Sequence, residues 1–124
     1  MYKILIVDDS KFIRQSIKKT LHNSSKYQVV SEASNGIEAL SIYRKLKPDA
    51  VTLDLTMDRL DGFKTLSLMV KLYPNAKVIV FSSLSSKFSQ TECFKLGAKD
   101  FIAKPNFNLL PNALEQYLKD KRYN

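Results

Sequence analysis

The stretch Ala50-Val51-Thr52-Leu53-Asp54 is the part of the chain from which we interpret the rest. It is a short apolar run that contains β-branched residues and follows Pro48-Asp49, a pattern that predicts a buried central strand. Its last residue is an acid, and a buried strand would carry that carboxylate to the rim of a sheet. Because open α/β sheets bind their ligands at this rim, the stretch predicts a functional edge as well as a fold.

A second apolar run, residues 3–7, is followed directly by Asp8 and Asp9. If the two runs form neighbouring parallel strands, the carboxylates of Asp8, Asp9 and Asp54 meet at one edge of the sheet. Unpaired carboxylates repel one another, so we expect a cation among them. Mg²⁺ suits such a site because it binds a few oxygen ligands and keeps several waters.

The composition predicts one folded domain, residues 1–124, because this length suits a single core and 44% of the residues are hydrophobic. The sequence contains no apolar run of the roughly 18 residues that a membrane span needs. The N-terminus lacks the long apolar segment and the cleavage site of a signal peptide. Cys93 is the single cysteine, which excludes an internal disulfide. Together these features predict a cytoplasmic protein.

The formal net charge of +8 raises the question of an acidic partner. A nucleic-acid surface would explain this charge, and so would solvated lysines on helix faces. The 20 basic residues are spread along the chain without a dense block. We therefore favour solvated lysines over nucleic-acid binding, while an acidic protein partner is compatible with either interpretation.

Strand patterns alternate with helical patterns along the chain. The predicted strands are residues 3–7, 27–33, 50–54, 77–82 and 99–104. The predicted helices begin after Ser10, at Asn35-Gly36, after Asp61, after Ser85 or Ser86, and at Asn108. Parallel strands need helical crossovers, so the alternation predicts an α/β fold in which five helices cover both faces of a five-stranded parallel sheet.

Helical spacing of apolar residues predicts which side of each helix faces the core. The expected core residues are Phe12, Ile13, Ile17 and Leu21 in the first helix, and Ala39, Leu40, Tyr43 and Leu46 in the second. Lys11, Arg14, Lys18 and Lys19 fall outside the apolar stripe of the first helix.

Ser82 and Lys104, at the ends of the fourth and fifth strands, add two polar groups to the same rim. Each group alone has an ordinary explanation, such as a turn-starting acid, a strand-end serine or a solvated lysine. Coincidence at the ends of four strands is a poor explanation for the whole set. Acids, a hydroxyl and an ammonium are together typical of a site for phosphoryl chemistry, in which a metal neutralises charge and one carboxylate attacks.

The chain resembles response-regulator receiver domains from residue 3 to about residue 120. The resemblance implies a doubly wound, flavodoxin-like sheet with strand order 2-1-3-4-5. It is carried by Ile6-Val7-Asp8-Asp9-Ser10, by Leu53-Asp54-Leu55-Thr56-Met57 with Asp61-Gly62, by Val80-Phe81-Ser82-Ser83, and by Asp100-Phe101-Ile102-Ala103-Lys104-Pro105.

The resemblance makes Asp54 the phosphoacceptor. It implies that Asp9, Asp54 and the backbone carbonyl of Thr56 bind Mg²⁺ directly, and that Asp8 binds it directly or through water.

For the remaining motifs, the resemblance implies that Lys104 bridges to the phosphoryl group and that the Lys104-Pro105 peptide is cis. Ser82 occupies the position of the switch hydroxyl, and Phe101 occupies the position of the switch aromatic residue. The chain departs from the family pattern where Asp58 replaces the usual proline of the acceptor loop, and where Phe101 replaces the more common tyrosine.

The resemblance also implies partners. The expected phosphodonor is a phosphohistidine on a histidine kinase or else a small phosphate ester, because the single histidine, His22, is predicted to lie on the surface at the end of helix 1, away from the rim. A downstream protein would read the surface of helix 4, strand 5 and helix 5, or a phosphorylation-dependent dimer would form through that surface. The expected role is that of a two-component, chemotaxis-type response regulator that is not itself an enzyme, although it assists its own phosphorylation and dephosphorylation.

Three other functions are compatible with parts of the pattern. Ser82-Ser83-Leu84-Ser85 and residues 97–101 also resemble the receiver half of a chemotaxis methylesterase, so the chain could be a receiver that acts with an enzyme effector. A basic nucleic-acid-binding domain would need a recognition helix or an aromatic-basic stripe, and the sequence suggests neither. A metal-dependent phosphatase would need a substrate pocket, which the sequence does not reveal.

Overall fold

Five strands alternate with five α-helices over the part of the chain that the computed structural model describes, residues 1–57 and 61–123. For residues 120–123 this description is limited to the backbone. The elements are β1 (Tyr2–Val7), α1 (Lys11–His22), β2 (Tyr27–Ala33), α2 (Gly36–Leu46), β3 (Ala50–Leu53), α3 (Gly62–Leu72), β4 (Val78–Ser82), α4 (Lys87–Lys95), β5 (Asp100–Ala103), a 3₁₀ turn (Phe107–Leu109) and α5 (Leu110–Tyr123).

All paired strands of the sheet are parallel, and their order is β2-β1-β3-β4-β5. This confirms the predicted doubly wound architecture. In the register of the central strands, Val7 lies beside Leu53, and Leu53 lies beside Val80. The residues that follow β1 and β3 therefore emerge side by side, and the backbone N–H of Asp54 donates to the carbonyl oxygen of Val7 at 3.0 Å.

Two apolar clusters, one on each face of the sheet, form the core. Val51 and Leu53 of β3 belong to the cluster that includes residues of α2, α3 and α4, whereas Ala50 belongs to the cluster with residues of α1 and α5. A strand that is buried on both faces consists mainly of apolar residues, which explains why apolar and polar side chains do not alternate regularly in residues 50–53.

The predicted helix starts depend on side-chain caps that the structure contains. Ser10, Asn35, Asp61 and Ser86 each accept a hydrogen bond from the backbone N–H three residues later, at 2.9 to 3.2 Å. Of the two candidate serines before α4, the cap is therefore Ser86. Past the end of α4, Gly97 has a φ of +109°, which glycine adopts far more readily than other residues.

Two predicted core residues are wrong. Phe12 is 75% exposed because it lies roughly 140° around the helix from Ile17, the centre of the stripe formed by Ile13, Ile17 and Leu21. Leu46 is 44% exposed because it is the last residue of α2, where the helix has fewer neighbours.

The boundaries of several elements also differ from the prediction. The last helix begins at Leu110 rather than Asn108, because residues 107–109 form the 3₁₀ turn instead of a first α-helical turn. The third and fifth strands end at Leu53 and Ala103, one residue earlier than predicted. Asp54 and Lys104 therefore lie just beyond strand ends. Among the described residues, no helix combines the length and apolar character needed to cross a bilayer.

Candidate functional site

The three acids predicted to meet at the rim do so. One carboxylate oxygen from each of Asp8, Asp9 and Asp54 lies within 4.8 Å of the others. Asp8 and Asp54 are almost completely buried, while Asp9 is exposed. The cluster therefore has two buried carboxylates and an exposed third one, so it is open to solvent on one side.

Local hydrogen bonds hold Asp8 in place. Its backbone N–H donates to the carbonyl oxygen of Ala33 at 3.0 Å, which ties the end of β1 to the end of β2. One of its carboxylate oxygens accepts from the backbone N–H of Ser10 at 2.9 Å. The other carboxylate oxygen is therefore left to face the rest of the site.

Lys104 supplies the cation of the cluster. Its Nζ lies 2.8 Å from a carboxylate oxygen of Asp8 and 3.5 Å from one of Asp54. Its side chain is only 14% exposed, so the ammonium is held among the acids rather than solvated. The Lys104-Pro105 peptide is cis, as the resemblance implied, and the backbone N–H of Lys104 donates to the carbonyl oxygen of Ser82.

One ammonium does not balance this site. Burial raises the pKa of the Asp8 carboxyl above its ordinary value, and the nearby charge of Asp54 acts in the same direction. The hydrogen bonds from Lys104 and from the N–H of Ser10 oppose this shift without cancelling it. Three carboxylates are hard oxygen donors, so a divalent cation such as Mg²⁺ fits both the ligand set and the missing positive charge.

Ser82 lies at the same end of the sheet but has a different hydrogen-bond partner. It is fully buried at the end of β4, and its Oγ accepts from the backbone N–H of Leu84 at 3.2 Å. Phe101 of β5 is half-buried and packs against the core cluster that includes residues of α2, α3 and α4. Ser82 thus lies at the end of the strand next to β3, and Phe101 lies one strand further from the acids, on β5.

The side chain of Thr56 contacts Asp54, which the sequence analysis did not predict. Its hydroxyl lies 3.3 and 3.5 Å from the two carboxylate oxygens of Asp54. The sequence signal is the position of Thr56 two residues after the acid, and there the resemblance implies a role only for the backbone carbonyl. Asp58, the departure from the family pattern, lies outside the described residues.

Gly62 also bears on the site, and sequence reasoning used it only as part of a motif. A Cβ built on Gly62 would lie well inside van der Waals contact with the carbonyl oxygen of Asp54 and with Cα of Leu55. The backbone N–H of Gly62 donates to the carbonyl oxygen of Leu55 at 2.9 Å. The start of α3 can therefore pack directly on the backbone of Asp54 and Leu55.

The profile of the response regulator receiver domain family matches residues 4–115. The chain belongs to this family. Over 105 residues, 85% of its length, the receiver domain is 46% identical to the chemotaxis protein CheY of Listeria monocytogenes, of which it covers 87%. It is 43% identical to a protein-glutamate methylesterase/protein-glutamine glutaminase of Syntrophomonas wolfei, covering 84% of this chain but 30% of that protein.

A solved complex of CheX and CheY with BeF₃ and Mg²⁺ from Borrelia burgdorferi contains a chain with the same fold. The TM-score is 0.88 at 31% identity, and the match covers 93% of the receiver domain and 87% of that chain. These likenesses describe a CheY-like receiver domain.

Proposed function

We propose that this receiver domain accepts a phosphoryl group on Asp54 and thereby switches a protein-binding surface. The observation that carries the proposal is the meeting of Asp8, Asp9 and Asp54 within 4.8 Å, with the ammonium of Lys104 between two of them. The proposed donor is a phosphohistidine of a histidine kinase. His22 is exposed at the end of α1, away from the rim, which fits an external donor.

In the proposed transfer, a carboxylate oxygen of Asp54 attacks phosphorus while the P–N bond of the phosphohistidine breaks. The imidazole nitrogen leaves with the electron pair, and an acyl phosphate forms on Asp54. Mg²⁺, held by Asp8, Asp9, Asp54 and the carbonyl of Thr56, would neutralise charge on the phosphoryl oxygens. Lys104 would pair with one of these oxygens. Attack of water on phosphorus later releases phosphate and restores the carboxylate.

The proposed switch involves Ser82 and Phe101. A phosphoryl group on Asp54 would offer new acceptors for the Ser82 hydroxyl, which can donate its proton while its oxygen accepts from Leu84. Movement of Ser82 would change the space available to the ring of Phe101, which is half-buried on the neighbouring strand. Phosphorylation would then shift the population between two packings.

The surface of α4, β5 and α5 is the proposed readout. Leu84, Phe88 and Phe94 are exposed apolar residues in and beside α4, and Phe88 is 73% exposed. Such residues suit a protein partner better than solvent. The likeness to CheY proteins supports a chemotaxis-type pathway, and a phosphorylation-dependent dimer through the same surface is an alternative readout.

The likeness to the methylesterase favours one variant of this proposal. Because the match covers 30% of that longer protein, the receiver domain could instead regulate an enzyme effector of this kind. The chemistry at Asp54 would be the same, and only the reader of the switched surface would differ.

Labelling with a phosphorylated histidine kinase or a small phosphodonor tests the acceptor. The wild type should gain an acyl phosphate only with Mg²⁺, and Asp54→Asn should gain none while it keeps the wild-type fold. Mg²⁺-dependent labelling of Asp54→Asn would refute the assignment.

A second variant tests the switch. Lys104→Ala should accept the phosphoryl group but lose the dependence of partner binding on phosphorylation. Partner binding that stays fully dependent on phosphorylation in Lys104→Ala would contradict the proposed role of the lysine.

A further inference from the structure

A side chain outside the acid cluster contacts its backbone. Arg14 lies on α1 and is only 16% exposed. Its Nη1 donates to the carbonyl oxygen of Asp8 at 2.7 Å, and its Nε donates to a carboxylate oxygen of Glu32 at 2.9 Å. The guanidinium thus joins the end of β1 to the end of β2 by two bonds in a fixed planar fork.

Glu32 is in turn held on its other side. Lys18, one turn along α1 from Arg14, donates to the second carboxylate oxygen of Glu32 at 2.8 Å. The hydrogen bond from Lys18, followed by that from Arg14, holds the pKa of Glu32 below its ordinary value. Glu32 is therefore an anion at neutral pH. The Arg14 guanidinium is held by two hydrogen bonds, one to this anion and one to the carbonyl oxygen of Asp8.

The bond to the Asp8 carbonyl bears on Asp9 more than on Asp8. That carbonyl belongs to the peptide that joins Asp8 to Asp9, so fixing its oxygen fixes the plane from which the Asp9 side chain starts. Asp8 already has bonds from Ser10 and Lys104 to its carboxylate. Asp9 is the exposed ligand of the cluster, and its placement depends on the backbone.

We propose that Arg14, held by Glu32, is a positioning residue that fixes the Asp8-Asp9 peptide so that Asp9 joins Asp8 and Asp54 around a divalent cation. This inference rests on the proposed function, because it concerns the proposed metal site. Groups that orient metal ligands typically change metal affinity by about 10-fold or more when removed. Arg14 would act in this way through the backbone rather than by touching the ion.

The sign of the effect separates positioning from simple charge. Arg14 is a cation near an acidic site, so its removal would strengthen Mg²⁺ binding if only long-range repulsion mattered. Positioning predicts the opposite. Lys18→Met is the matched control because it removes one positive charge and one bond to Glu32 without touching the Asp8 carbonyl.

The experiment is an NMR titration of the full chain with Mg²⁺, following the amide signals of Asp9 and Asp54 in the wild type, Arg14→Met and Lys18→Met. Arg14→Met should bind Mg²⁺ about 10-fold more weakly than the wild type, and Lys18→Met should differ by less than about 3-fold. In the metal-free proteins, the carbonyl carbon of Asp8 and the amide of Asp9 should shift in Arg14→Met and not in Lys18→Met.

Equal or tighter Mg²⁺ binding by Arg14→Met would overturn the inference while leaving the proposed function intact. An equal loss of affinity in both variants would also overturn it, because the effect would then come from the bond to Glu32 that both variants lose, and not from the Asp8 carbonyl. A wild type that binds no Mg²⁺ would overturn the proposed function itself and this inference with it. Glu32→Gln adds a check, since its effect should not add to that of Arg14→Met.

Discussion

Replacing Lys104 with methionine should lower the free energy of unfolding of the metal-free protein and should tighten its binding of Mg²⁺. The ammonium of Lys104 lies 2.8 Å from Asp8 and 3.5 Å from Asp54. Methionine keeps most of the aliphatic stem and removes the charge, so the two buried carboxylates lose their shared cation. The same carboxylates are the proposed ligands of Mg²⁺, and the lysine therefore competes with the ion for them.

The distances set the size of the effect. At an effective dielectric constant of about 20, the two gross attractions are roughly 6 and 5 kcal/mol, before the cost of desolvating the groups. Removal of one partner from a buried pair typically costs about 3 to 5 kcal/mol. Because the Lys104 side chain retains some exposure, we expect a loss near the lower limit, about 3 kcal/mol of unfolding free energy.

The gain in metal binding follows from the same numbers. If only a quarter of the larger gross attraction opposes the ion, about 1.5 kcal/mol, its removal tightens Mg²⁺ binding by roughly tenfold. Saturating Mg²⁺ should then restore much of the lost stability, since a ligand that binds only the folded state stabilises it.

Urea unfolding in EDTA and in Mg²⁺ measures both effects. Lys45→Met is the control because Lys45 is an exposed residue of α2, and it should change neither the stability nor the response to Mg²⁺. The reasoning would be refuted if Lys104→Met were as stable as the wild type in EDTA, or if it bound Mg²⁺ more weakly.

Three further predictions concern Asp8, Thr52 and Gly62. Burial raises the pKa of the Asp8 carboxyl, so the folded chain holds the proton of Asp8 more tightly than the unfolded chain does. The protonated carboxyl therefore contributes its full stability below about pH 3.8, and this stability is lost as pH rises through the raised pKa. Relative to Asp8→Asn, the metal-free wild type should thus lose stability in urea unfolding as pH rises above about 4, and a stability difference that does not change with pH would contradict this. Thr52→Val should stabilise the fold by about 1 kcal/mol, because the buried Thr52 hydroxyl has no hydrogen-bond partner among the described residues. Thr65→Val is the control and should destabilise the fold, since the Thr65 hydroxyl donates to the carbonyl oxygen of Asp61 at 2.8 Å. A change in unfolding free energy of the same sign in both variants would contradict this reasoning. Gly62→Ala should lower the free energy of unfolding by about 2 kcal/mol and weaken Mg²⁺ binding, because the added Cβ would displace the backbone of Asp54 and Leu55. Wild-type values in thermal unfolding and in a Mg²⁺ titration would contradict this prediction.

The meeting of the acids could be predicted from sequence because it follows from topology alone. An acid after an apolar strand lies at the rim, and parallel neighbours bring their rims together. Asp8 and Asp54 required no knowledge of side-chain packing. The caps at Ser10 and Asp61 were predictable for a similar reason, since a cap is a local contact between residues three apart.

Contacts that depend on how elements pack could not be predicted in this way. Arg14 was assigned only to the polar side of α1, because its bonds to Asp8 and Glu32 require the position of α1 against the ends of β1 and β2. The exposure of Phe12 shows the converse, since an apolar residue in a helical pattern need not face the core. The close approach of Gly62 to the acceptor loop likewise depends on three-dimensional packing.

The most direct test of the central claim is an amide NMR spectrum recorded with Mg²⁺ and beryllium fluoride, a mimic of the phosphoryl group. The account predicts that Mg²⁺ alone shifts Asp8, Asp9 and Asp54. It predicts that beryllium fluoride, only in the presence of Mg²⁺, extends the shifts to Ser82, to Phe101 and to α4. Absence of any Mg²⁺-dependent shift at the three acids, or a response to beryllium fluoride that survives in Asp54→Asn, would contradict it.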